Sequence, residues 1–199
     1  MRGISSKPAG AVTVPLLWQN GLLDIDEPIA AHWPEFGQND KHPITPRHLL
    51  THTAGIRTAE ATAELCELQD VIAALENPRI ERDCVPGKNT GYHAFSGWQV
   101  LDKLVLRLSE IPYAEIVRTR TFHPLEIQSA SFNMKTEEAA ALGGRIGHAH
   151  GEEPCVDSKP YVCSRNDVAV SSPASRLRCT ASDMVRFYRM FLGTVNWMV

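Results

Sequence analysis

The sequence predicts a mainly α fold, and three observations carry that prediction. Apolar residues recur at helical spacing, most clearly Trp98, Leu101, Leu104, Val105 and Leu108. Helix-starting and helix-stopping residues bracket such segments, with Ser, Thr or Pro in front and Gly or Asn-Pro behind. Convincing alternation of apolar and polar residues, the mark of a half-buried strand, is scarcely found. At 199 residues, 43% hydrophobic and 22% charged, the composition is that of one globular domain spanning 1–199.

Each element has a local cause. Residues 5–20 read as a helix with Val12, Leu16 and Leu17 on one side, apolar on most faces and therefore buried. Ser5 or Ser6 can cap it, Pro8 suits its first turn and Gly21 its C′ position. Pro15 predicts a kink, because its ring removes a donor and crowds the preceding turn. An irregular connector over 22–34 leads to a short turn at Trp33-Pro34-Glu35-Phe36 and a polar turn over 37–43. Thr45 caps a short helix with Pro46 in its first turn, and Gly55 ends it. An amphipathic helix over 59–75 stops at Asn77-Pro78, and Val85-Pro86-Gly87-Lys88 is a turn. Helices follow over 96–109, 113–121 and 136–142, then a long irregular stretch to about Arg178. A last helix over 180–192 is capped by Thr180 or Ser182 and stopped by Gly193.

Charge and hydropathy exclude several classes. With 20 Lys+Arg against 23 Asp+Glu, the formal charge of -3 argues against a nucleic-acid partner. No apolar run approaches the roughly 20 residues that span a bilayer, so no membrane role is expected. Five widely spaced cysteines (Cys66, Cys84, Cys155, Cys163, Cys179), with no CxxC pair, read as free thiols of a reducing compartment. Arg2, Lys7 and the apolar stretch 9–18 loosely imitate a signal peptide. Gln19-Asn20-Gly21 offers no small-x-small cleavage site, so the expectation is cytoplasmic.

A family resemblance rests on ordered motifs. They are Leu22-Leu23-Asp24-Ile25-Asp26-Glu27-Pro28, Trp33-Pro34-Glu35-Phe36 and the run from Ile44 through His48-Leu49-Leu50-Thr51-His52-Thr53-Ala54-Gly55. Then come Pro86-Gly87, Tyr92-His93, Ser96-Gly97-Trp98, Pro112-Tyr113, Phe122-His123-Pro124-Leu125 and the 181–192 segment. The His-Leu-Leu-Thr-His-Thr-x-Gly run is the most specific piece. In this order they resemble the serine β-lactamase-related family of class C β-lactamases, DD-peptidases, esterases and acyltransferases. The resemblance implies the helical lobe of an α+β β-lactamase/transpeptidase-like fold, with most of the antiparallel sheet missing. A lobe that normally packs on a sheet should then expose an apolar patch.

The implied chemistry is acyl transfer through an activated serine on an ester, amide or β-lactam, with a small-molecule acyl substrate and no cofactor. Lys7 matches the lysine of the family's Ser-x-x-Lys motif. The ungapped nucleophile position is Ile4, which has no acyl-accepting atom. Three readings stay open: the nucleophile is lost, Ser5 serves from a non-helical entry turn or merely caps, or the alignment is shifted. Tyr92 matches the tyrosine of Tyr-x-Asn as a proton relay, but Ala94 stands at the amide position and His93 between them. A Tyr92 ring half-buried with its hydroxyl on a backbone group is the bland alternative. The third motif, Lys-Thr-Gly or His-x-Gly, is not found. The resemblance therefore leaves an alternative: an inactive homologue that is inert or binds without turnover.

Other clusters read as structural. His48 and His52 are spaced i, i+4, but Leu49 stands where a zinc-protease motif needs Glu. His148, His150, Cys155 and Cys163 fit no standard zinc spacing, and no metal is expected. Gly143-Gly144-Arg145-Ile146-Gly147 lacks the strand and helix of a phosphate loop. Asp24, Asp26 and Glu27 read as a solvated turn, and Trp18, Trp33 and Trp98 as core or interface anchors.

Overall fold

The computed structural model describes residues 6–57, 59, 68–132, 134, 136–145, 173–174 and 177–193. Its helices are α1 (Ser6–Ala11), α2 (Thr13–Gln19), α3 (Pro46–Leu50), α4 (Leu68–Glu76), α5 (Ser96–Ser109), α6 (Tyr113–Val117), α7 (Thr136–Leu142) and α8 (Ala181–Arg189). Two short strands, β1 (Ser131–Phe132) and β2 (Leu177–Arg178), pair antiparallel with Ser131 opposite Arg178. Among the described residues this is the whole sheet, so the helix-rich expectation holds there. No helix among them is long and apolar enough to cross a membrane. The predicted helix over 59–75 is seen in its later part as α4. Residues 60–67, Cys66, Ile146, Gly147, His148, His150, Cys155 and Cys163 lie outside the described residues.

Pro15 divides the first helix one turn ahead of itself. Without an N–H, it cannot bond the Ala11 carbonyl, and its ring crowds that same group. The break accordingly falls at Val12, between α1 and α2, rather than at Pro15. The Val12 amide still reaches the Pro8 carbonyl (3.3 Å) and the Leu16 amide the Val12 carbonyl (3.2 Å), so the axis bends without opening. Ala9, Val14 and Leu17 are buried, while Val12 and Leu16 are half-buried and Trp18 is 58% exposed. The expectation of all-round burial was too broad, and Trp18 is no core anchor. Gly21, at φ +69°, closes α2: its amide bonds Trp18 and the Leu22 amide bonds Leu17, the paired pattern of a left-handed C-cap.

The core gathers around α5, which is buried from Ser96 through Val105 and meets α2, α3, α4 and α6. Two tight helical turns, Ile29–Ala31 and Pro34–Gly37, deliver Ile29, Trp33 and Phe36 into the same cluster. Trp33 donates its indole N–H to Glu76 at 2.7 Å, and the Arg107 guanidinium lies 4.9 Å from its ring centroid. The three-carboxylate turn is tied down: Asp26 pairs with Arg47 at 2.6 Å, and Glu27 with His32 at 2.8 Å. A π-helical turn over Arg118–Phe122 continues α6, so the predicted helix over 113–121 changes winding midway. Thr180 caps α8 by accepting from the Asp183 amide, as expected.

On α8, Phe187 is buried against Phe122, whereas Val185 and Tyr188, and Phe191 and Leu192 just beyond the helix, are exposed. The described cysteines, Cys84 and Cys179, are free thiols.

Gly55 tests how tightly the turn after α3 is packed. Its φ is +69°, and a methyl there would overlap Cys84 Sγ and lie 3.0 Å from Cys84 Cβ. Gly55→Ala should lose about 1–2 kcal/mol from the backbone and about 1–3 kcal/mol from overlap. Adding Cys84→Ala should recover only the sulfur overlap, leaving the backbone loss, as a double-mutant cycle of urea midpoints will read.

Candidate functional site

Lys7 and Tyr92, matched above by motif alone, come together in space. The Lys7 Nζ lies 5.7 Å from the centroid of the Tyr92 ring, within cation–π range. Several contacts fix the position of α1. Gly10 faces Pro173 so closely that a Cβ would stand 2.9 Å from the proline Cβ. The Ser6 hydroxyl is buried and accepts from the Leu177 amide at 3.3 Å, so it joins α1 to β2. That placement lets Lys7 Nζ donate to the Ala174 carbonyl at 3.2 Å. Ile4 and Ser5, the two residues that bear on the nucleophile, lie outside the described residues.

Tyr92 is carried by an extended segment after the Val85–Lys88 turn, in which Gly87 takes φ +83°. Its ring is 59% exposed, which disagrees with the half-buried alternative. The inner side of that ring rests on His52, with centroids 4.9 Å apart and planes at 56°.

His52 and His93 complete the arrangement, and residue spacing gave neither a place in it. The sequence grouped His52 with His48, one helical turn away. The structure instead ends α3 at Leu50 and turns His52 to φ +57°, so the two rings serve different partners. His48 Nδ1 accepts from the Thr45 amide at 3.2 Å in a capping box. His52 Nδ1 accepts from the His93 amide at 3.2 Å, and His93 Nε2 accepts from the Ile56 amide at 3.1 Å. Each imidazole has one nitrogen committed to a backbone donor, which is a structural task. Among the described residues, no group of three or more His, Cys, Asp or Glu is placed to hold a metal ion. The signal for the His52–His93 pairing is long-range, so only the His-Thr-x-Gly motif could have hinted at it.

Both rings are held neutral. Burial lowers the His52 pKa first, and the Lys7 charge lowers it further. Burial pushes the His93 pKa down to about 4, with His52 adding to the effect and Glu81 opposing it. Glu81 itself is depressed mainly by the hydrogen bonds that Arg57 Nε donates to both of its carboxylate oxygens, with the guanidinium charge a smaller cause. Two surface hollows lie away from this chemistry, one beside Asp40, Arg79 and Cys84, the other beside His123, Ser129 and Asp183. The ring-and-amine cluster at Lys7 is a more informative site than either, because it joins a proton donor, a phenol and neutral imidazoles.

A sequence model of the beta-lactamase family matches residues 5–196. The chain is similar to penicillin-binding protein 4 of Amycolatopsis lactamdurans, with 28% identity over 96% of this chain and 50% of that protein. It is also similar to the esterase/beta-lactamase LipL of Mycobacterium tuberculosis, 31% identical over 47% of this chain and 22% of that protein. Among solved structures, D-amino acid amidase from Ochrobactrum anthropi SV3 superposes with a TM-score of 0.73 at 19% identity, covering 96% of this chain and 55% of that one. The chain belongs to the beta-lactamase family and has its fold. It spans about half the length of the first of these relatives.

The neutral His93 has a measurable consequence. Its model-compound pKa of 6.5 falls to about 4 in the fold, so between those values the unfolded chain holds more protons than the native one. Stability should therefore drop as pH falls from 6.5 to 4, by up to about 3 kcal/mol at 1.36 kcal/mol per unit. His93→Gln keeps an acceptor for the Ile56 amide and cannot titrate. Its urea midpoint should lose less than the wild type's over that window.

Proposed function

We propose that this chain forms part of an acyl-transfer hydrolase site of the beta-lactamase family, cleaving an ester, amide or β-lactam through an acyl-serine intermediate. The observation that carries the reading is the Lys7 ammonium site over the Tyr92 ring, two motif residues 85 positions apart meeting at one surface. Ser5 is the nucleophile in this reading. Its Oγ attacks the substrate carbonyl carbon while its proton passes to a neutral Lys7 amine. Collapse of the tetrahedral adduct breaks the bond to the leaving group, which takes a proton relayed through the Tyr92 hydroxyl. Water then adds to the acyl ester, releases the acid and restores the serine. Its relatives, a penicillin-binding protein and an esterase/beta-lactamase, support this general class.

A second reading has its own support. Ala94 stands where the family motif has asparagine, and Ile4 stands at the ungapped serine position. A homologue that binds an acyl compound without turning it over fits those two residues.

A fluorophosphonate probe separates the two. The acyl-transfer reading expects covalent labelling, mapped by mass spectrometry to Ser5. Lys7→Met should slow it by about 100-fold or more, the usual worth of a positioned base. Tyr92→Phe should spare the first covalent step more than it spares turnover of a p-nitrophenyl ester. Folded, unlabelled wild-type protein would leave the binding-only reading standing.

A further inference from the structure

We propose that His52 is a positioning residue that holds Tyr92 in place by gripping the chain on both sides of it. This rests on the reading of Tyr92 as the proton relay. The backbone carbonyl of His52 accepts from the Gly91 amide at 2.8 Å, and its ring Nδ1 accepts from the His93 amide at 3.2 Å. These are the residues immediately before and after Tyr92. Between the two bonds, the imidazole lies against the phenol ring, with centroids 4.9 Å apart and planes tilted by 56°. One residue thus supplies three restraints to a side chain that is otherwise 59% exposed.

The backbone geometry makes this arrangement specific. A carbonyl and a side chain reach the same strand-like segment because His52 adopts φ +57°, a left-handed conformation rare for a residue with a Cβ. Neither neighbour can drift. A Cβ at Gly91 would stand 3.0 Å from Arg57 Nε, and His93 is fully buried with its Nε2 on the Ile56 amide. Because Nδ1 accepts, the proton of the neutral ring sits on Nε2. Among the described residues, Lys7, Tyr92 and His93 are titratable groups around this ring, and the Lys7 charge favours keeping it neutral. A residue that merely filled the space beneath Tyr92 would need neither the acceptor nor the left-handed backbone.

The test uses three variants of the full chain. His52→Asn places Oδ1 near the position of Nδ1 and tolerates positive φ, so it should restore the grip. His52→Gln puts its oxygen one bond too far out, and His52→Ala removes it. With the p-nitrophenyl ester, His52→Ala and His52→Gln should lower kcat by about 10- to 100-fold, the scale of a small misplacement of a reacting group, and should spare fluorophosphonate labelling more. KM should change little, and His52→Asn should recover most of the turnover rate. Equal rates for Asn and Gln would overturn the proposal, and so would a wild-type rate in a folded His52→Ala. If His52→Ala does not fold, the Asn–Gln comparison decides alone. If the wild type does not label, the acyl-transfer reading fails and the grip is judged by amide hydrogen exchange. The His93 amide should exchange at least about 10-fold faster in His52→Gln than in the wild type or His52→Asn. Unchanged protection across all three would overturn it.

Discussion

The structure around the site depends on an irregular ladder of hydrogen bonds between the turn after α3 and the segment 81–93. The Gly55 carbonyl accepts from Glu81, the Thr53 carbonyl from Gly87 and the His52 carbonyl from Gly91, each at 2.8–3.0 Å. Side chains extend it: the Ile56 amide reaches the His93 ring, and the Arg57 amide reaches Glu81 at 2.6 Å. Neither partner is a regular strand, so no repeating pattern satisfies these buried backbone groups automatically. They are satisfied one at a time, by residues whose conformations are unusual. His52, Gly55 and Gly87 all have positive φ. Close approach reinforces the point, since a Cβ on Gly87 would sit 3.0 Å from His48 Nε2. The ladder therefore fixes where Tyr92 leaves the surface.

Helix α5 is the post to which that ladder is attached. It starts three residues after His93, and a Cβ on Gly97 would stand 3.7–3.9 Å from Leu49 and the His93 Cβ. Being surrounded, it carries polar groups into the interior as well as apolar ones. Asp102 and Lys103 form a pair at 2.9 Å with both side chains about 5% exposed. A buried pair of this kind adds little net stability beyond what well-packed apolar residues would give. Tyr113 of α6 is also enclosed, and burial, then the Asp102 charge, push its phenol far above the ordinary value. The Tyr113 hydroxyl also faces α1, where a Cβ on Gly10 would stand 3.3 Å from it.

Local chemistry was legible wherever a single element decided the outcome. Helix α5 follows from Trp98, Leu101, Leu104, Val105 and Leu108, and its limits in the structure match the spacing. Thr45, Thr180 and Gly21 act as caps because capping is a contest among near neighbours in the chain. The Pro15 break was legible in kind and displaced by one turn in position, since the proline acts on the carbonyl four residues earlier. The pairing of Lys7 with Tyr92 was reached through motif resemblance, because no periodicity spans 85 residues. His52 shows what neither route reaches. Its neighbour at i+4 spacing suggested a shared helical face, but positive φ turned it toward a segment some 40 residues away.

Three lysines sit in contrasting surroundings. Lys41 is fully buried and donates to the Glu76 and Pro78 carbonyls at 2.6 and 2.5 Å, closing the end of α4. Burial lowers its pKa to about 8, against the opposing charges of Glu76 and Asp40. Its amine is sealed away from any substrate. Lys103 is also enclosed, and the Asp102 carboxylate faces it at 2.9 Å. The hydrogen-bond partner of Lys7 is the neutral Ala174 carbonyl, and its other neighbour is the Tyr92 ring. Unlike the other two, it stands beside a ring that is itself exposed. In the proposed reaction a base needs a path to the substrate, and of these three amines Lys7 alone lies against an exposed side chain of the candidate site.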